Sequence, residues 1–177
     1  MLENEITLGA EYEDGILRGT FADQIFLFEW LYNTENGFTD SLIFSWPLAQ
    51  DPRKRILINA EPDMWESDAS RRMGNHPDRL GKYFAGLQYL DESLDLRFFH
   101  PLVYEVDSER IRPYAELRHL HLFDVNEIEI FCRGKTDFHT YSFSLGASKQ
   151  ISSFELKGFL NDFKDFSWSI GCSTVIN

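Results

Sequence analysis

The chain has 177 residues, a length that suits one domain, so 1–177 is expected to fold as a unit. With 43% hydrophobic residues, sixteen Phe and four Trp, it has too much to bury to be disordered. A formal net charge of -12 excludes a basic nucleic-acid or anionic-membrane binder and favours basic partners; residues 1–50 set nine acids against Arg18 alone, placing the strongest acidic field in that third.

Taken in chain order, Met1-Leu2-Glu3-Asn4-Glu5 has no basic region and no apolar core, so no secretory signal is expected and the chain is assigned to the cytoplasm. Ile6, Leu8, Ala10 and Tyr12 alternate with polar neighbours, a strand pattern. Asp14-Gly15 is a hairpin turn signal, and Ile16 to Phe21 would return. Residues 24–32 are apolar on both faces and read as a central strand or a short buried helix. Their longest dense run is broken by Glu29 and falls short of the roughly 20 apolar residues of a helical span, so no membrane contact is expected. Leu42 to Trp46 and Ile56 to Ile58 read as strands, with Arg53-Lys54-Arg55 as a solvated strand start; 61–76 read as an irregular loop.

Pro77 opens an expected helix whose apolar face is Leu80, Tyr83, Phe84 and Leu87, at spacings of three and four. Leu94, Leu96 and Phe98 alternate as a strand. Residues 114–123, 127–133 and 138–145 read as a three-strand meander. A second helix is expected from about Phe154 to Phe166, capped by Ser152 with Glu155 and burying Leu156, Phe159, Leu160 and Phe163. Trp168, Ile170 and Cys172 suggest a final strand. The fold class read from this pattern is α+β: an antiparallel sheet with the C-terminal meander, packed against about two helices. Cys132 and Cys172, with no CxxC spacing, read as two buried thiols.

His119-Leu120-His121 puts two imidazoles on one strand face. A two-residue turn at Gly134-Lys135 would set Ile128, Ile130 and Cys132 on an apolar face with His139, Tyr141 and Phe143. His119 and His121 then share the opposite face with Glu127 and Glu129, while His139 points into the core. The HxH pair with a downstream Glu is similar in kind to the cupin metal motif, but the Glu127 spacing and the missing leading Gly depart from it. His119, His121 and Glu129 are therefore the one candidate metal or enzymatic set, weighed against a plain cross-strand His–Glu pair, which is preferred. No nucleophile elbow, Walker loop or dinucleotide fingerprint occurs.

The expectation that follows is a protein without catalytic residues, metal or cofactor. In general character (small, acidic, α+β) the chain resembles bacterial toxin-immunity proteins, which implies a basic toxin or effector as partner; no residue motif carries the likeness. Glu11, Glu13 and Asp14 at the first hairpin, with Glu35 and Asp40 near the second turn, are the acids expected to meet it. The alternatives are a phage-type anti-defence inhibitor that mimics nucleic acid, and a metal-dependent enzyme on His119, His121 and Glu129.

Overall fold

A computed structural model describes residues 6–23, 26–35, 37–48, 51–61, 82–106 and 109–176. Among them there are strands and turns but no helix. The strands are β1 (Ile6–Glu13), β2 (Ile16–Ala22), β3 (Leu27–Asn33), β4 (Phe38–Leu48), β5 (Asp51–Glu61), β6 (Lys82–Leu90) and β7 (Leu94–Pro101). They continue with β8 (Glu105–Val106), β9 (Glu109–Arg110), β10 (Tyr114–Val125), β11 (Ile128–Thr136), β12 (Tyr141–Ile151), β13 (Phe154–Asn161) and β14 (Asp165–Ile176). Twelve of these form a closed antiparallel barrel in the order β1-β14-β13-β12-β11-β10-β7-β6-β5-β4-β3-β2, and β8 and β9 make a separate hairpin. Closure comes from β1 lying against β14, with Tyr12 opposite Ile170 and Ala10 opposite Cys172. A closed barrel has no unpaired strand edge.

The α+β class expected from sequence is thus corrected to all-β. The first expected helix fails because Tyr83, Ala85, Leu87 and Tyr89 also alternate with period two, and β6 uses that period; its start at Pro77 lies outside the described residues. The second fails because 154–166 is a hairpin. β13 runs to Asn161, the turn is 162–164 with Asp162 and Phe163 both at positive φ, and β14 returns. The Ser152 expected as a helix cap sits instead in the β12–β13 turn at φ 58. The C-terminal strands are arcs of the barrel and not a meander laid on helices. The Gly134-Lys135 turn is also displaced: β11 continues through both residues, and the reversal comes at 137–140. There the Asp137 carboxylate accepts the N–H groups of Thr140 (2.6 Å) and His139 (3.0 Å), which hold its pKa down at about 2. The Asp14-Gly15 turn is where the sequence puts it, with φ of 45 and 82.

Which side of the sheet each residue faces follows from ion pairs between strands that are not neighbours. Arg97 on β7 pairs with Glu29 on β3, Arg133 on β11 with Glu13 on β1, and Lys157 on β13 with Glu11 on β1. Such pairs must cross the lumen, and strand alternation carries their side inward around the ring. Arg18, Ser45, Asn59, Gln88, Ser144, Ser148 and Ser169 share it. The opposite side is apolar and open. It carries Leu8 and Tyr12 on β1, Ile56 and Ile58 on β5, Leu87 on β6, Leu96 and Phe98 on β7, Leu156 and Leu160 on β13, and Trp168 and Ile170 on β14, all exposed. Leu160, expected in a core, is one of them, and so is Cys172, expected to be a buried thiol. Asp, Glu and Arg are absent from the outward positions of the described strand interiors. Lys54 and Lys149 stand near one rim.

The two mouths differ. At the mouth where β1 starts and β14 ends, strands are joined by four residues or fewer. At the other mouth, two connections are long: residues 62–81 and residues 102–113. The second folds back over the lumen. Leu102 N donates to Tyr83 O and Ile111 N to Tyr104 O, and Ile111 with Val103 packs on Ile43, Leu57, Phe84, Phe99 and Tyr114. The Phe99 and Tyr114 rings stack at 4.7 Å, and Phe84 meets Tyr114 edge-on at 5.0 Å. This apolar plug fills the β4–β7 side. Gly86 lets it close, since a Cβ there would sit 2.5 Å from Phe98 O.

Candidate functional site

The remaining lumen holds the chemistry. Its most buried element is the Glu29–Arg97–Asp95 triad. Arg97, 2% exposed, donates from Nη1 and Nη2 to the two Glu29 oxygens at 2.8 and 2.7 Å, and from Nε and Nη2 to Asp95 at 3.1 and 2.8 Å. The planar guanidinium fork suits two carboxylates at once. Gln88 and Ser45 extend the network to a second guanidinium, Arg55. Gln88 Nε2 donates to Asp95 at 2.7 Å, Ser45 Oγ to Gln88 Oε1 at 2.9 Å, and Arg55 Nε to Ser45 Oγ at 2.6 Å. Such a chain satisfies polar groups that burial would otherwise penalise.

Beside the triad lies a cavity of about 520 Å³, lined from β1, β2, β7, β10, β11, β12 and β13. Five cations face it: Arg18, Arg118, Arg133, Lys135 and Lys157. The carboxylates on its wall are already engaged. Glu11 accepts Arg18 at 2.7 Å, Lys157 at 3.1 Å and Ser169 Oγ at 3.0 Å. Asp95 holds Arg97 and Gln88, Glu116 pairs with Lys135 at 3.3 Å, and Asp162 accepts Phe143 N at 2.9 Å. Arg133 is clamped by Glu13 and lies 3.5 Å over the Phe159 ring. Two cationic groups are under-used. Among the described residues, Arg118 has one charged contact, Glu29 at 4.0 Å, and Arg18 Nε is buried with no hydrogen-bond partner.

The sequence-derived candidates fall as follows. His119, His121 and Glu129 do come together, with His119 Nε2 at 3.0 Å and His121 Nδ1 at 3.1 Å from the same Glu129 Oε1, while Ser148 Oγ donates to Oε2 at 2.9 Å. Both imidazole nitrogens contact that one carboxylate oxygen, and no group of three or more metal-ligating side chains suited to an ion occurs among the described residues. The cross-strand His–Glu pair is the arrangement seen. His139 lies apart, exposed in the 137–140 turn rather than buried as expected. Arg53 and Lys54 pair with Asp51, and Arg55 turns inward to Ser45. Of the acids expected to meet a partner, Glu11 and Glu13 face the lumen and are spent on ion pairs; Asp14 and Glu35 are exposed at turns, and the Asp40 side chain is outside the described set. Arg18, Arg97, Arg118, Arg133 and Lys157 were missed. Their signal is a charge recurring between outward apolar residues, as in Leu96-Arg97-Phe98 and Leu156-Lys157-Gly158.

Comparison of the chain with protein-family models, with curated proteins and with solved structures finds no match.

Proposed function

We propose that this chain is a membrane-embedded β-barrel with a partly plugged, polar lumen. One observation carries the reading: charge points inward and large apolar side chains point outward around the whole ring of twelve strands. A water-soluble barrel is arranged the other way, and a soluble monomer rarely exposes an apolar patch beyond a few hundred Å². In hydrocarbon, a closed barrel satisfies every backbone group internally. An even strand number, short turns at one mouth, longer loops at the other and aromatic rings near both rims fit the same class. Here those rings are Tyr12, Tyr32, Tyr83 and Tyr141 towards the long-loop mouth, and Trp46, Tyr89 and Phe154 towards the other. Twelve strands lie between the roughly eight that side chains can fill and the about sixteen that leave an open channel.

Charge alone supports a second reading, a cytoplasmic acidic inhibitor of a basic toxin, through exposed turn acids such as Asp14 and Glu35. Vesicle flotation separates the two. The chain, refolded with phosphatidylcholine vesicles, is expected to float with the lipid and to stay there through washing at high salt and high pH. A chain that remains in the aqueous fraction, and is monomeric there without detergent, would sink the membrane reading.

A further inference from the structure

We infer that the lumen cavity is a binding site for a small oxyanion, a carboxylate or a phosphate, gripped by Arg118 and Arg18. The cavity, at about 520 Å³, has room for a small organic anion. Its wall carries five cations and four carboxylates, with Glu13 and Glu29 facing Arg133 and Arg118 from beside it. Three of the four acids on that wall, Glu11, Asp95 and Glu116, are already in ion pairs, and Asp162 accepts the Phe143 N–H. What is left over is donor capacity. Arg118 carries five N–H groups, and its one charged contact is 4.0 Å away on a carboxylate that Arg97 already holds from both sides.

Arg18 supplies the second signal. Its Nη1 is spent on Glu11 at 2.7 Å, but its Nε is buried and unpartnered. An unmade bond at a buried donor is costly, and native structures normally fill it. Arg18 and Arg118 also lie close enough to repel each other. An anion between them would relieve that repulsion and accept the Arg118 fork. Planar guanidinium groups match the two-oxygen edge of carboxylate and phosphate alike. Screening inside the barrel is weaker than in water, so the attraction is stronger there. The site is independent of what surrounds the barrel.

The test is titration calorimetry on the whole folded chain, in detergent or in buffer, whichever keeps it dispersed. Inorganic phosphate and succinate are the probes, with glucose as a neutral control. At least one anion is expected to bind saturably with Kd at or below about 1 mM, and glucose is not. Whichever anion binds identifies the oxyanion type. Arg118→Gln is expected to weaken binding about tenfold or more, with Arg118→Lys in between because it keeps the charge and loses the fork. Unfolding curves of both variants report whether the barrel is intact. Should Arg118→Gln fail to fold, Arg118→Lys decides: affinity equal to wild type would overturn the site. So would absence of binding by both anions to the wild-type chain, or an affinity unchanged in folded Arg118→Gln. Flotation with vesicles does not bear on any of these outcomes.

Discussion

Arg97→Ala is expected to destabilise the barrel by about 3–5 kcal/mol, because it strands two carboxylates where one guanidinium held both. Glu29 and Asp95 receive four bonds of 3.1 Å or less from Arg97, and Glu29 is itself buried. Arg118, at 4.0 Å from Glu29, is too far to take over. Chemical unfolding followed by tryptophan fluorescence measures the loss. The uncompensated charge, and not the missing bulk, is the cause. Replacing all three members together (Glu29→Leu, Asp95→Leu, Arg97→Met) should therefore recover most of the stability. An Arg97→Ala barrel as stable as wild type would mean that the triad is not packed as described.

The second large effect is expected on the opposite face. Leu87 points outward from β6, between Ile56 and Phe98, and is 60% exposed. In water, a charge at so open a surface position changes stability by roughly 0.5 kcal/mol at most. Facing lipid near mid-depth, Leu87→Arg should cost about 2–4 kcal/mol. Folding titrations in vesicles measure it, with Lys54→Arg near the rim as the control expected to be nearly silent. Equal stability of Leu87→Arg and wild type would remove hydrocarbon from that face.

Much of the strand content was legible. The alternations at Ile6 to Tyr12, Leu94 to Phe98 and Trp168 to Cys172 all fall within strands, and Asp14-Gly15 turns the first hairpin. What misled was the assumption that apolar means inside. Leu156, Leu160 and Phe163 can be drawn on one helical face, yet Phe154, Leu156 and Leu160 keep the two-residue period that puts them outside a barrel, and Phe163 sits in a turn. Short apolar runs fit both periods, and only the charges at Glu155 and Lys157 between them break the tie. The rule of roughly 20 consecutive apolar residues was equally blind, because it detects helices, while a spanning strand shows lipid only every second residue.

The candidate site was legible only in part. The His119-x-His121 pair does meet Glu129, but bulges in β10 set His121 opposite Phe131 and Asp124 opposite Glu129, and the face they share is the lumen rather than the solvated side expected. The lumenal cations could not be placed, since Arg133 finds Glu13 across 120 residues and Lys157 finds Glu11 across 146. Such pairings depend on the closure of β1 on β14, which no local pattern encodes. The same closure explains why Glu11 and Glu13, beside an exposed turn in the sequence, are held in ion pairs across the lumen.

Outward placement of the tryptophans offers the most direct measurement. Trp46 and Trp168 are exposed on the outer face, and Trp30 on the same face has its indole N–H bonded to Thr39 Oγ1 at 3.0 Å, as an apolar surrounding requires. Trp65 lies outside the described residues and would be replaced by Phe. In vesicles of lipids brominated on their acyl chains, the remaining fluorescence is expected to be strongly quenched, and acrylamide in the aqueous phase should add little. Fluorescence untouched by brominated chains but quenched by acrylamide, from a chain soluble without detergent, would contradict a barrel that turns its apolar face to lipid.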